Sequence, residues 1–387
     1  MRISPRLQQV TFPPITEVKS WITNREFSAD KPLIDLCQAI PDYAPADSLV
    51  GHVQQLMNEK PTSIYSPDEG LPDVRQQVSD WYAQRYQAAP SADQICMTIG
   101  ASQAFWLAIL SLCEAGDEVI VPLPAYFDHP MALEALGVVP KFIHFDEQRL
   151  LPTLEQITAA IGPRTRAILM VTPSNPTGTV LPPDQIEALY HLAQQHDIAL
   201  ILDETYNAFL PPTQVPHHLF AQENWGETFI HIASFGKTFS LTGYRAGVLV
   251  ASQELLHHAL KVQDSMVVCQ PRVTQHAIAY GCRELGDWVD RNSQMMQQRH
   301  DLFCQLFDVK DNPFTLSRSG AFFAWVKHPW TSLTGRQAAR KLADESNLIC
   351  LSGEVFGPGL EGYLRLAFGN VGQREIPQAV ERFLAYR

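Results

Sequence analysis

The sequence has no CxxC pair, no Gly/Ser-rich tract, no internal repeat and no long run of one charge. None of its apolar stretches approaches the ~20 residues that a membrane-spanning helix needs, and residues 1–35 carry Arg2, Arg6, Lys19 and Arg25 where a secretory signal would need an apolar core. Each lack excludes a class. The seven cysteines at 37, 96, 113, 269, 282, 304 and 350 are odd in number and widely spaced, which points away from a disulfide framework and from a zinc site, so no metal is expected. Reduced thiols and a cytoplasmic location are the expectation. Charged side chains make up only 18% of the chain, and the net charge of -12 comes from 41 acidic and 29 basic residues scattered along it. That balance disfavours nucleic acid or an anionic membrane as partner and suits an enzyme acting on small molecules.

The composition is 45% hydrophobic, and 387 residues are too many for one ordinary core; one large unit and a smaller one are expected. From about 95 to 250, short apolar runs alternate with amphipathic stretches of helical length, the pattern of a mostly parallel sheet covered by helices. Strands are predicted at 94–99, 118–122, 141–145, 167–172, 199–203, 229–233 and 247–251, with helices at 102–114, 128–136, 153–160 and 183–195. Pro182-Pro183-Asp184 supplies a helix start. The later part reads as an α+β unit: a long helical stretch at 253–308, strands at 314–326, 348–351 and 363–368, and helices at 334–346 and 374–386. The N-terminal 40 or so residues are expected to pack against it, which divides the chain at 1–44, 45–287 and 288–387. Ligands of open α/β sheets bind beyond the carboxyl ends of strands, so the residues there are the candidates.

Five such segments hold unusual polar residues: Gly100-Ala101-Ser102-Gln103-Ala104, Pro124-Ala125-Tyr126, Ser174-Asn175-Pro176-Thr177-Gly178, Asp203-Glu204-Thr205-Tyr206, and Ser234-Phe235-Gly236-Lys237 followed by Gly243-Tyr244-Arg245. Taken singly, Lys237 can also be read as a surface lysine after a turn, Asp203 as a helix N-cap and Arg365 as half of an internal ion pair. An amine at a strand end, partly desolvated and near other positive charge, is also what Schiff-base chemistry needs. A carboxylate closing the apolar run 199–202 is costly without a cation to meet it. In this order and at these spacings the five segments resemble the class I/II aminotransferases of the aspartate aminotransferase superfamily, fold-type-I enzymes dependent on pyridoxal 5'-phosphate (PLP), from about Tyr65 to Arg365.

The resemblance implies a mostly parallel central sheet in a large domain with a smaller α+β domain, and PLP joined to Lys237 as a Schiff base, with Lys237 then shuttling the proton. It implies that Asp203 pairs with the pyridine nitrogen, with His129 behind it, that Tyr206 and Asn175 bond the cofactor's 3′-oxygen, and that Tyr126 stacks on its ring. Gly100, Ala101, Ser102, Ser234 and Arg245 would hold the phosphate, joined by Tyr65 from the neighbouring subunit of a homodimer. Arg365, with Asn175, would grip the substrate α-carboxylate; Glu204 would touch no cofactor. The activity implied is transfer of an amino group from an L-amino acid to a 2-oxo acid, by a ping-pong route through pyridoxamine phosphate. A PLP-dependent C–S lyase on the same scaffold is the alternative, and a non-enzymatic PLP-binding regulator a third reading, for which the chain shows no basic DNA-binding region.

One position departs from the family pattern. Where a glycine often approaches the substrate carboxylate, this chain reads Gln38-Ala39-Ile40-Pro41-Asp42, and Ala39 adds a methyl and removes freedom at positive φ. The pocket for the side chain is not specified: Arg272, Lys327 and Arg318 are candidate cations, and Tyr43, Phe127 and Phe356 candidate apolar walls. Asn175-Pro176 and Leu123-Pro124 are expected to be cis.

Overall fold

A computed structural model describes residues 1–144 and 151–386; position 145, the expected end of the third strand, and position 387, the expected end of the last unit, lie outside the described residues. The strands are β1 (Ile34–Asp35), β2 (Ile95–Ile99), β3 (Glu118–Pro122), β4 (Val139–Ile143), β5 (Thr165–Val171), β6 (Ala199–Asp203), β7 (Phe229–Ala233), β8 (Ala246–Val250), β9 (Thr315–Gly320), β10 (Phe323–Lys327), β11 (Leu348–Ile349), β12 (Leu351–Ser352) and β13 (Tyr363–Ala367). Seven of them form one sheet in the order β2-β8-β7-β6-β5-β3-β4. Only β8 runs antiparallel to its neighbours; the other pairings are parallel.

This sheet is buried on both faces, which explains why its strands read as continuous apolar runs rather than as an alternation. Ile168, Met170, Leu200 and Leu202 pack into one layer with the helices Pro72–Tyr86, Pro183–Gln195 and Arg272–Glu284. Their neighbours Ala167, Leu169 and Ile201 pack into the other, against the helices Gly100–Leu112, Asp128–Leu136 and Gln253–Val267. Fully burying one such side chain stabilises by about 1.5–3 kcal/mol, so the two layers set the strand register firmly.

A four-stranded antiparallel sheet, β12-β13-β10-β9, and the parallel pair β1-β11 carry a separate core. Here three expectations are revised. The stretch 253–308 is three helices, ending at Val267, Glu284 and Phe307; Val268 adopts φ 64° and Pro271 precedes the second helix. The segment 314–326 is a hairpin that turns at Ala321, at φ 49°. The run 348–351 enters two sheets on either side of Cys350. The N-terminal residues divide too: β1 joins the smaller core through β11, but Arg6 Nη1 donates to the Leu136 carbonyl at 3.1 Å, on the large-sheet side. The expected boundary at 287/288 falls inside the helix Gly286–Phe307. Among the described residues no helix is long and apolar enough to cross a membrane.

Candidate active site

The carboxyl ends of β5, β6 and β7 open into a cavity of about 550 Å3 that also receives residues of the smaller core and of the N-terminal segment. Ala39, Ala101, Ser102, Tyr126, His129, Asn175, Asp203, Tyr206, Ser234, Lys237, Arg245 and Arg365 all line it. The sequence expectation therefore meets in one place, except at Tyr65 and Gly100.

Lys237 lies in the short helix Phe235–Thr238 that follows β7. Its Nζ donates to the Ala39 carbonyl at 2.7 Å, so the residue standing where the family often has glycine presents its backbone to the amine. Burial, together with the guanidinium groups of Arg245 and Arg365, lowers the ammonium pKa from 10.5 to about 8. Asp203, the last residue of β6, is 4% exposed. Its Oδ2 meets His129 Nε2 at 3.1 Å and its Oδ1 accepts the Thr205 amide at 3.0 Å. Burial alone would push this carboxyl up, but His129 and Thr205 outweigh it and hold the pKa below its ordinary value.

Tyr206 stands edge-on to the Phe322 and Phe323 rings; burial raises its phenol pKa, against the pull of Arg365 and a hydrogen bond with Asn175. Burial likewise keeps the Tyr126 phenol protonated, and that hydroxyl donates to Asp128 Oδ2 at 2.5 Å. Asp128 was not anticipated, although it begins a helix as acidic residues often do. Arg365, in the middle of β13, is 1% exposed. It donates to Asn175 Oδ1 at 3.3 Å and to the Cys37 carbonyl, and its carbon Cζ lies 5.7 Å from the centres of both the Phe323 and Phe356 rings. Its Nε is buried with no partner. A cation so placed, with a donor to spare, is ready for an anion.

At the other end of the cleft, Gly100 opens the helix Gly100–Leu112 at φ +76°, and a Cβ there would lie 2.6 Å from Arg245 Nη2. The glycine thus lets a guanidinium approach the helix N-terminus, where free amides favour an anion. Ser102 and Ser234 add hydroxyls to the same cleft. Tyr65 does not enter it: the residue is 76% exposed, and its carbonyl accepts from Arg272 at 2.6 and 3.2 Å. Arg272, Lys327 and Arg318 do not line the cleft, nor do Tyr43 and Phe356, whereas Phe127 does. Leu123-Pro124 and Asn175-Pro176 are cis, as expected, and so is Thr172-Pro173, which the sequence reading did not anticipate.

A strand-end lysine with a depressed pKa, a histidine-backed aspartate and a buried arginine share one cleft at the carboxyl ends of a mostly parallel sheet. Residues 31–383 match the family model for aminotransferase class I and II, and the chain belongs to that family. It is 28% identical to a putative aminotransferase of Bacillus subtilis (87% of each chain). It is 26% identical to an aromatic aminotransferase of Arabidopsis thaliana (90% of this chain, 88% of the relative), and 25% identical to an aspartate aminotransferase of Pyrococcus abyssi (91% of each). The fold matches an aspartate aminotransferase of Thermus thermophilus solved with maleate, with a TM-score of 0.90 over all of both chains at 23% identity. The family uses PLP, and the cleft fits that group: a lysine amine within it, a buried carboxylate for a ring nitrogen, and a glycine-opened cradle with an arginine for a phosphate.

Proposed function

We propose that this aminotransferase moves an amino group from an L-amino acid to a 2-oxo acid by a ping-pong route through pyridoxamine phosphate. The observation that carries the reading is Lys237: its amine shares one cleft with Asp203 and Arg365, and its ammonium form is disfavoured. Bound PLP supplies an electron-accepting ring that lets the substrate Cα release a proton. Lys237 would hold PLP through its Nζ, and the same amine, once free, would take up the proton that leaves Cα. Asp203, held ionised by His129, would meet the ring nitrogen and favour its protonated form. Tyr206 and Asn175 would bond the cofactor's 3′-oxygen, and Tyr126 would pack against its ring. Gly100, Ala101, Ser102, Ser234 and Arg245 hold the phosphate, and Arg365 with Asn175 grips the α-carboxylate as a fork.

Ala39, whose carbonyl accepts from Lys237 Nζ, lines the same cleft and is proposed to approach the substrate carboxylate. The exposed Tyr65 is proposed to reach the phosphate in a partner's cleft, which makes a homodimer part of the reading. The three-part division at 1–44, 45–287 and 288–387 is proposed with it, supported by the separate cores. Incubation of the PLP-loaded enzyme with single amino acids and a 2-oxo acid tests the reaction: a new amino acid and a new 2-oxo acid in equal amounts are expected. Pyruvate and ammonia released without an acceptor would replace transfer by C–S bond cleavage.

A further inference from the structure

Glu204 follows Asp203 in the chain and does not line the cleft, yet it is 1% exposed. A buried carboxylate is costly unless it is fully bonded. Its Oε2 meets His231 Nδ1 at 2.7 Å and His217 Nε2 at 3.0 Å, and both histidines are fully buried. The far nitrogen of each ring fixes its tautomer. His217 Nδ1 accepts the Leu219 amide at 3.1 Å, so its proton sits on Nε2. His231 Nε2 lies 2.7 Å from the Tyr82 hydroxyl; an ionised Glu204 can only accept, so the neutral ring carries its proton on Nδ1 and leaves Nε2 to accept from Tyr82. Both nitrogens facing Glu204 therefore carry hydrogen and have no lone pair for an ion, although the three ligand atoms lie within 4.8 Å of one another. The cluster is a hydrogen-bonded clamp.

The clamp extends to the helix Pro72–Tyr86. The Tyr86 hydroxyl bonds Glu204 and accepts from Asn207 Nδ2 at 2.5 Å. Residues 203–207 thus divide by direction: Asp203, Thr205 and Tyr206 line the cleft, whereas Glu204 and Asn207 bond to the helix behind it. The Glu204 amide also donates to the Ile232 carbonyl of β7 at 2.8 Å, and β7 runs on into Ser234 and Lys237. One carboxylate holds together the two strand ends that carry the site.

We infer that Glu204, through His217, His231 and Tyr86, is a positioning residue that fixes Asp203, Tyr206 and the approach to Lys237. The inference rests on the roles proposed above for those three residues. The test uses the PLP-loaded enzyme and the variant Glu204→Gln, which keeps the shape and removes the charge. With circular dichroism and cofactor content as in the wild type, kcat is expected to fall about 10- to 100-fold, with the donor KM nearly unchanged. The pH midpoint of the bound cofactor's visible spectrum should move as well, which a purely structural tie would leave in place. If Glu204→Gln does not fold, Tyr86→Phe decides by the same two readouts, with a loss of about 2- to 10-fold. A folded variant with wild-type kcat, or with lowered kcat and an unmoved midpoint, overturns the inference. Wild-type enzyme that neither binds PLP nor transfers amino groups would contradict the proposed function itself, and this inference with it.

Discussion

Lys237 and Arg365 show what one side chain in a dry cleft is made to do. Burial and two guanidinium groups bring the Lys237 ammonium down to about 8, and only the neutral amine attacks an aldehyde. Uptake of PLP by cofactor-free protein is therefore expected to speed up about tenfold per pH unit below pH 8 and to level off above it. A rate followed by stopped-flow absorbance that keeps climbing past about pH 9 would mark an unperturbed lysine. For Arg365→Lys, loss of the planar fork should raise the donor KM about 10- to 100-fold, leaving PLP content unchanged by absorbance titration. Residues such as these were legible because their types sit in short motifs at strand ends. Asp128 and the partners of Glu204 were not: His217 and His231 reach Glu204 from a separate loop and the next strand, and nothing local marks that meeting.

At the level of elements, the buried strands were readable because apolar runs bounded by Gly, Pro and Asp admit few alternatives. Breaks that depend on backbone sign were not. The hairpin at 320–323 turns through Ala321 at positive φ, a conformation that composition does not announce, and its left-over signal was Gly320 alone. The helix Pro72–Tyr86, which buries Trp81, Tyr82 and Tyr86, was missed although Pro72-Asp73 is a start signal. That helix and the ends of β6 and β7 are joined by Glu204, and the joint has a pH signature. Against the cost of burial, His217 and His231 hold the Glu204 carboxyl at about 2, below its ordinary 4.5. A depressed folded pKa adds stability above the unfolded value and loses it as pH falls through the folded one. Acid unfolding of the wild type should therefore steepen between about pH 4.5 and 2, and Glu204→Gln should flatten that limb in a fluorescence titration; identical curves would contradict the clamp.

For the whole molecule, the alternation of strands and helices and the low, dispersed charge placed the class before any motif was read. What they left open is whether and where copies of the chain meet, because an interface is written in exposed residues whose types are not diagnostic. Tyr65 and its neighbour Ile64 are exposed, as are Met57 and Met266, and Arg272 holds the Tyr65 backbone in place. Sedimentation should give twice the 43.4 kDa of one chain, and Tyr65→Phe should weaken PLP binding about 2- to 10-fold while leaving the dimer intact. A fully active monomer would remove Tyr65 from the site.

The attachment of the cofactor to Lys237 bears on every role proposed here, and it is open to direct chemical trapping. PLP-loaded protein would be reduced with borohydride, digested and analysed by mass spectrometry. One pyridoxyl-phosphate increment per chain on the peptide containing Lys237, absent in Lys237→Ala, is the expected result. A stoichiometric increment on another lysine, or none on any, would contradict the account.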